Sequence, residues 1–243
     1  VEPTGAEFAY QGPRVVGVLV RRASSSNFTL ADRYATSDGG RTWARHDAPA
    51  GGDVSLTGDT LWLAGGPARN QLFKSTNGGA SWAPVTLPGK LTSGPFALDP
   101  PTTGGGLTLL PVTVPGDEKS SVVVLTSRDH GRSWTEAARA ELPVSVGGGV
   151  TLPTSPGPGD SLVVAAPDGS AVVRVPLAGG PVRTLPPRGL AKGIVGVTLT
   201  DDRLGWATFT ASSCKDDKTT CTSQTGLLVT RNGGETWQQA RLG

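Results

Sequence analysis

A chain of 243 residues with a net charge of +2, a pI near 8.7 and 17% charged residues carries no electrostatic footprint for nucleic acid. No apolar run approaches the roughly 20 residues that a membrane-spanning helix requires. The 35 glycines and 20 prolines fall between short Val-, Leu- and Thr-rich runs, so they read as turns and the chain reads as strand and loop.

Taken in order, the chain opens with strand-like runs at Glu7–Tyr10, Val15–Val20 and Arg33–Ala35, followed by the octapeptide Thr36–Trp43. The same arrangement, Ser/Thr-x-Asp/Asn-x-Gly-x-Ser/Thr-Trp, returns at Ser75–Trp82, Ser127–Trp134 and Thr230–Trp237. Asp38, Asn77, Asp129 and Asn232 are short acceptors for the backbone N–H groups of their own turn. Gly40, Gly79, Gly131 and Gly234 supply the freedom a tight hairpin demands. The hydroxyls of Thr42, Ser81, Ser133 and Thr236 close the turn, and the tryptophans begin an outgoing strand with a large ring for packing. Every position has a structural reason, and none is poised for catalysis.

The acids of the motif are 39, 52 and 103 residues apart, and the last interval is about twice the second. One repeat is therefore hidden, with its hairpin expected at Ala178-Gly179-Gly180 between Ala171–Val175 and Pro181–Leu185. Asp168-Gly169 is the rival position. The second repeat predicts strands at Val54–Leu56, Thr60–Ala64, Gln71–Lys74 and Ser81–Val85. The last predicts them at Gly196–Leu199, Leu204–Thr208, Leu227–Val229 and Thr236–Gln238. Cys214 and Cys221 lie in a polar stretch, Ser212–Ser223, that suits a disulfide pinning a long hairpin loop, and hence an oxidising compartment. No signal peptide begins at Val1, so the chain reads as a processed or trimmed exported domain, secreted or associated with the cell envelope. His46 and His130 lie in different repeats, and no metal or cofactor is expected.

The octapeptide resembles the Asp box, or BNR repeat, of sialidases, photosystem assembly factors and other bacterial β-propellers. The resemblance, together with the repeat count, implies an all-β fold: a five-bladed β-propeller of four-stranded antiparallel blades with Asp-box hairpins, a single domain over residues 1–243. Its blades are expected at about 1–48, 49–90, 91–143, 144–188 and 189–243. In such propellers the boxes join the third and fourth strands on one face, and ligands meet the opposite face. The loops to inspect there present Arg22, Arg69, Asn70, Lys90, Arg188 and Lys192 as candidate ligand-binding residues, able to hold a carboxylate or phosphate through charge-assisted hydrogen bonds.

The expected function is that of an exported, noncatalytic binding or assembly module, a monomer holding a protein or glycan on that face. The alternative is a glycoside hydrolase, sialidase-like or with two carboxylates drawn from Asp47, Asp53, Asp117, Glu118, Glu141 and Asp168. A sialidase also needs a tyrosine nucleophile and an arginine cluster. Only Tyr10 and Tyr34 are present, with Tyr34 just before the first box, and Gly12–Val16 is a faint echo of the Arg-Ile-Pro element.

Overall fold

Every regular element among the described residues is a β-strand, and most strands run four to ten residues before a Gly-, Pro- or Asp-containing turn. A computed structural model of the chain describes residues 3–10, 16–22, 30–89, 91, 94–214 and 221–240, with side chains for 31–89, 91, 94–213 and 221–240.

The strands pair with their neighbours in sequence and form successive antiparallel sheets. The first contains β1 (Pro3–Tyr10), β2 (Val16–Arg22), β3 (Leu30–Thr36) and β4 (Ala44–Asp47). The second contains β5 (Gly52–Thr57), β6 (Thr60–Gly65), β7 (Gln71–Ser75) and β8 (Ala83–Pro84). In the third, β10 (Thr102–Gly104), β11 (Leu107–Val114), β12 (Ser120–Ser127) and β13 (Thr135–Leu142) follow in order, and the short β9 (Ala97–Leu98) also pairs with β11. The fourth holds β14 (Thr154–Gly157), β15 (Ser161–Ala165), β16 (Val172–Pro176) and β17 (Arg183–Leu185). The fifth holds β18 (Ile194–Leu199), β19 (Gly205–Cys214), β20 (Cys221–Thr230) and β21 (Gln238–Gln239).

The chain falls into two compact units, 1–114 with 125–136 and 147–151, and 115–124 with 137–146 and 152–243. In the first unit Ala31 and Leu63 are buried, with Ala48, Ala50, Val54, Phe73 and Trp82 packed against them. In the second, Val163, Ala165 and Val172 of one sheet meet Ile194, Val197, Leu199, Ala207, Leu228 and Trp237 of the next. Inner strands such as β6 and β15 are buried along their whole length, which is why they read as continuous apolar runs rather than as alternation. The outermost strands β8 and β21 are exposed, so two residues suffice for them.

The hidden hairpin lies at Ala178-Gly179-Gly180. Strand β16 pairs with β17 in the register Val172↔Leu185, and both glycines of the turn have positive φ, 84° and 119°. Asp168-Gly169 instead forms the turn between β15 and β16.

Two expectations change. The polar stretch around the cysteines is not a loop as far out as Ser212. β19 and β20 stay paired through Ala211↔Gln224, Ser212↔Ser223 and Ser213↔Thr222 to Cys214↔Cys221, because hydroxyl side chains face each other across the ribbon. Thr210 meets Thr225 at 3.3 Å and Ser212 meets Ser223 at 3.1 Å. The two cysteines are thus register partners, while the Cys214 side chain lies outside the described ones. The tryptophans also differ among themselves: Trp134 and Trp237 are buried, Trp82 is half-buried and Trp43 is 45% exposed.

The four octapeptides share one hydrogen-bonded turn, and its hub is the opening hydroxyl. Thr36 Oγ1 donates to Asp38 Oδ1 at 2.8 Å and accepts the Gly40 N–H at 2.9 Å. Ser75, Ser127 and Thr230 do the same for Asn77 and Gly79, Asp129 and Gly131, and Asn232 and Gly234. The acid or amide oxygen then accepts the N–H four residues on, at 2.8 to 3.0 Å. At Gly131 no other residue fits. Its φ is 74°, and an added Cβ would lie 2.2 Å from the Trp62 ring.

Candidate functional site

Each octapeptide turn follows the third strand of its sheet, so the turn before that strand lies at the opposite end. In the second sheet this is the β6–β7 turn, 66–70, which carries Arg69 and Asn70. Gly66 accepts the Arg69 N–H at 3.0 Å and donates to Gly51 O at 3.3 Å, while Arg69 O receives the Leu98 N–H at 2.8 Å. The turn is therefore held by its own sheet and by β9. Arg69 adopts φ 53°, a left-handed conformation that an L-residue keeps only where its surroundings fix it. Its guanidinium pairs with Asp53 at the start of β5, and its Nε is buried without a partner. Asn70, beside it, is exposed.

The second unit repeats the clamp twice. Between β11 and β12, the loop 115–119 is tied to the segment after β13. Ser120 N–H donates to Val144 O at 2.7 Å, Ser145 Oγ to Gly116 O at 2.7 Å, and Val146 N–H to Ser120 Oγ at 3.0 Å. Between β15 and β16, Pro167 O accepts the N–H groups of Gly193 and Ile194 at 2.7 and 3.1 Å. Gly193 O in turn accepts from Thr210 at 2.8 Å. Lys192 sits exposed on this clamped segment. All three loops are tied to neighbouring segments by hydrogen bonds, two of them through backbone groups and the 115–119 loop through the Ser145 hydroxyl, so binding there would cost little ordering.

The other candidates divide. Arg188 does not lie with Lys192: its backbone bridges to Thr236, donates to Glu235 O at 2.9 Å and accepts from Trp237 at 2.8 Å, beside the fourth octapeptide turn. Arg22 ends β2, with its backbone in register with Leu30 and its side chain outside the described ones, and Lys90 lies outside the described residues. Arg69 and Asn70 share one turn, and Lys192 belongs to the other unit.

The acids weighed as catalysts have local partners in several cases. Asp53 binds Arg69, Glu141 pairs with Lys119 at 3.6 Å in solvent, and Asp168 Oδ1 caps its own turn by accepting the Ser170 N–H at 2.9 Å. Asp47, Asp117 and Glu118 are exposed. The carboxyl groups pulled furthest below the ordinary range belong to the octapeptide turns. Asp38 is lowered to about 2 by the backbone and hydroxyl of Thr42 and the hydroxyl of Thr36; Asp129 is also lowered, by the hydroxyl and backbone of Ser133 and the hydroxyl of Ser127. Among the described residues no group of three or more His, Cys, Asp or Glu side chains is placed to hold a metal ion, and no helix is long and apolar enough to cross a membrane.

No protein-family model and no curated protein matches the chain. Solved structures do. YCF48 from Cyanidioschyzon merolae superposes with a TM-score of 0.56 at 16% identity, over 98% of this chain and 84% of that one. An ulvan lyase, a polysaccharide lyase, gives 0.54 at 12% identity over 97% and 69%. The β-propeller domain of the Trilobed protease from Pyrococcus furiosus, described as having an open velcro topology, gives 0.52 at 8% identity over 99% and 72%. Successive antiparallel sheets, each built from strands that follow one another in the chain, together with these neighbours make the fold of this chain a β-propeller.

Proposed function

We propose that the chain is an exported, noncatalytic binding or assembly module, a monomer that holds a protein or glycan at the sheet ends opposite its octapeptide turns. In this reading the octapeptides are Asp boxes, the five sheets are the blades of one domain, and Cys214 and Cys221 form a disulfide at the tip of the β19–β20 ribbon. The observation that carries the proposal is the clamp on the β6–β7 turn, which fixes Arg69 and Asn70 through backbone bonds to Gly51 and Leu98 and an ion pair to Asp53. A loop so fixed suits recognition, and an arginine that already neutralises the nearest carboxylate argues against Asp53 as a free acid or base. The cysteines support export because they face each other in register.

The test is a thermal-shift screen of soluble glycans and cell-wall fragments on the wild type, Arg69→Gln and Lys192→Ala, with Arg188→Ala as a comparison from the other end of its sheet. A shift lost in Arg69→Gln or Lys192→Ala and kept in Arg188→Ala supports the reading. A shift equal in all proteins removes these loops from the site. Release of new reducing ends from the bound glycan would replace the binding module with the hydrolase. Two free thiols in the unfolded, unreduced protein would remove the disulfide and the argument for export.

A further inference from the structure

The end of the fifth sheet that carries the octapeptide turn holds a cleft of about 500 Å³ lined by Asp201, Asp202, Arg203, Leu204 and Arg231. One wall is the β18–β19 turn, closed by the Thr200 N–H on Leu204 O at 2.9 Å. The other is the start of the fourth octapeptide turn, and the Gly233 N–H latches the two together on Arg203 O at 2.8 Å. The latch brings Arg203 and Arg231, 28 residues apart in the chain, to one cavity.

Both acids of the cleft are committed. Asp201 Oδ1 accepts the N–H groups of Arg203 and Leu204, both at 2.7 Å, and Asp202 Oδ1 takes Arg174 Nη1 at 2.6 Å. Arg174 is itself committed, through Nε to Ser161 Oγ and Nη2 to Pro158 O. Arg203 and Arg231 are exposed, and neither guanidinium has an ion pair among the described residues. Arg231 also lines an adjoining cavity of about 320 Å³ with Thr236, Gln238 and Gln239, whose hydroxyl and amides are neutral.

We propose that these two cavities form a binding site for an anionic saccharide. Arg203 and Arg231 hold its carboxylate or sulfate by planar, charge-assisted hydrogen bonds. Leu204 meets a C–H face of the same sugar, while Gln238 and Gln239 bond the hydroxyls of the next one. The combined size suits a ligand of a few sugar rings. An acidic peptide would pair with the same arginines, and triglutamate in the titration below separates it from a saccharide. This site lies at the opposite end of the sheet from Lys192 and does not depend on the loops of the proposed function.

The test is calorimetric titration of the full chain with a galacturonic acid trisaccharide, a sulfated galactose trisaccharide, neutral maltotriose and triglutamate. The expected result is binding of one or both anionic sugars that weakens with salt and exceeds that of maltotriose and triglutamate. Arg203→Ala and Arg231→Ala, both at exposed positions, each weaken it about tenfold or more, the loss of one charge-assisted hydrogen bond. The lysine variants recover part of it, and circular dichroism confirms that each variant is folded. Failure of both anionic sugars to bind overturns the proposal, as does equal binding by maltotriose, tighter binding of triglutamate, or arginine variants that bind like the wild type.

Discussion

The first and third octapeptide turns, Thr36–Trp43 and Ser127–Trp134, are chemically almost the same and packed very differently. Both place an aspartate between two hydroxyls, and their hydrogen bonds agree to within about 0.2 Å. Their surroundings differ. Trp134 is 7% exposed and meets Trp62 edge to face, with ring centroids 5.9 Å apart, whereas Trp43 is 45% exposed and donates its indole N–H back to Gly40 O. Gly131 is buried against Trp62, while Gly40 is exposed. The motif dictates the turn, and its neighbours decide how much that turn is worth.

The widest separation is expected between the tryptophans. Trp134→Ala empties a buried site and costs about 3–5 kcal/mol in chemical denaturation, whereas Trp43→Ala costs about 0.5 kcal/mol. Equal losses would break the comparison. The glycines come next. Gly40→Ala costs about 1–2 kcal/mol for its positive φ, because an added Cβ there makes only ordinary contact with Trp43, 3.6 Å away. Gly131→Ala adds about 1–3 kcal/mol of overpacking against Trp62, so its midpoint should fall further. Third are the opening hydroxyls. Ser127→Ala leaves the buried Gly131 N–H without its acceptor, at about 1–3 kcal/mol, whereas loss of the Thr36 hydroxyl, itself buried, frees the N–H of the exposed Gly40, which can turn to water, for a smaller loss of about 0.5–1 kcal/mol.

The smallest contrast should be in acid, where the two turns act alike. Both aspartates titrate below the ordinary 3.8, Asp38 at about 2, because the folded turn donates hydrogen bonds to their charged form. Their contribution is fully present above the unfolded value and declines as pH falls below about 4, that of Asp38 being gone below about 2 while Asp129 holds longer. Thermal unfolding of the wild type should drop across that window. An Asp38→Asn, Asp129→Asn double variant, built like the natural amide turns at Asn77 and Asn232, should show a flatter profile, and parallel profiles would rule out this source of acid sensitivity.

What was readable in the sequence was local. The octapeptides specify their turns through bonds that reach at most four residues, and the glycine pair at 179–180 gives its hairpin away because strand-like runs flank it. Strand order points to the candidate loops, but not to their clamps. Leu98 on Arg69, or Gly193 and Ile194 on Pro167, are backbone-to-backbone bonds that leave no mark in side-chain type. For the same reason nothing in Pro187-Arg188-Gly189 announces that this segment runs beside Thr236. The pairing of Arg203 with Arg231 was equally hidden, since the latch joining their turns is a glycine N–H on a main-chain carbonyl. Burial of one tryptophan and exposure of another depend on which sheet stands next to each, and an identical motif cannot encode that.

The β19–β20 ribbon has a practical consequence. From Ala211 and Gly226 outward its strands have only each other as strand partners among the described residues, and the side chains of 211–213 and 221–225 are exposed. Foreign sequence spliced beside Cys221 would enter the chain at an exposed position whose strand partner is β19 alone. A fluorescent reporter or an affinity handle could be carried there.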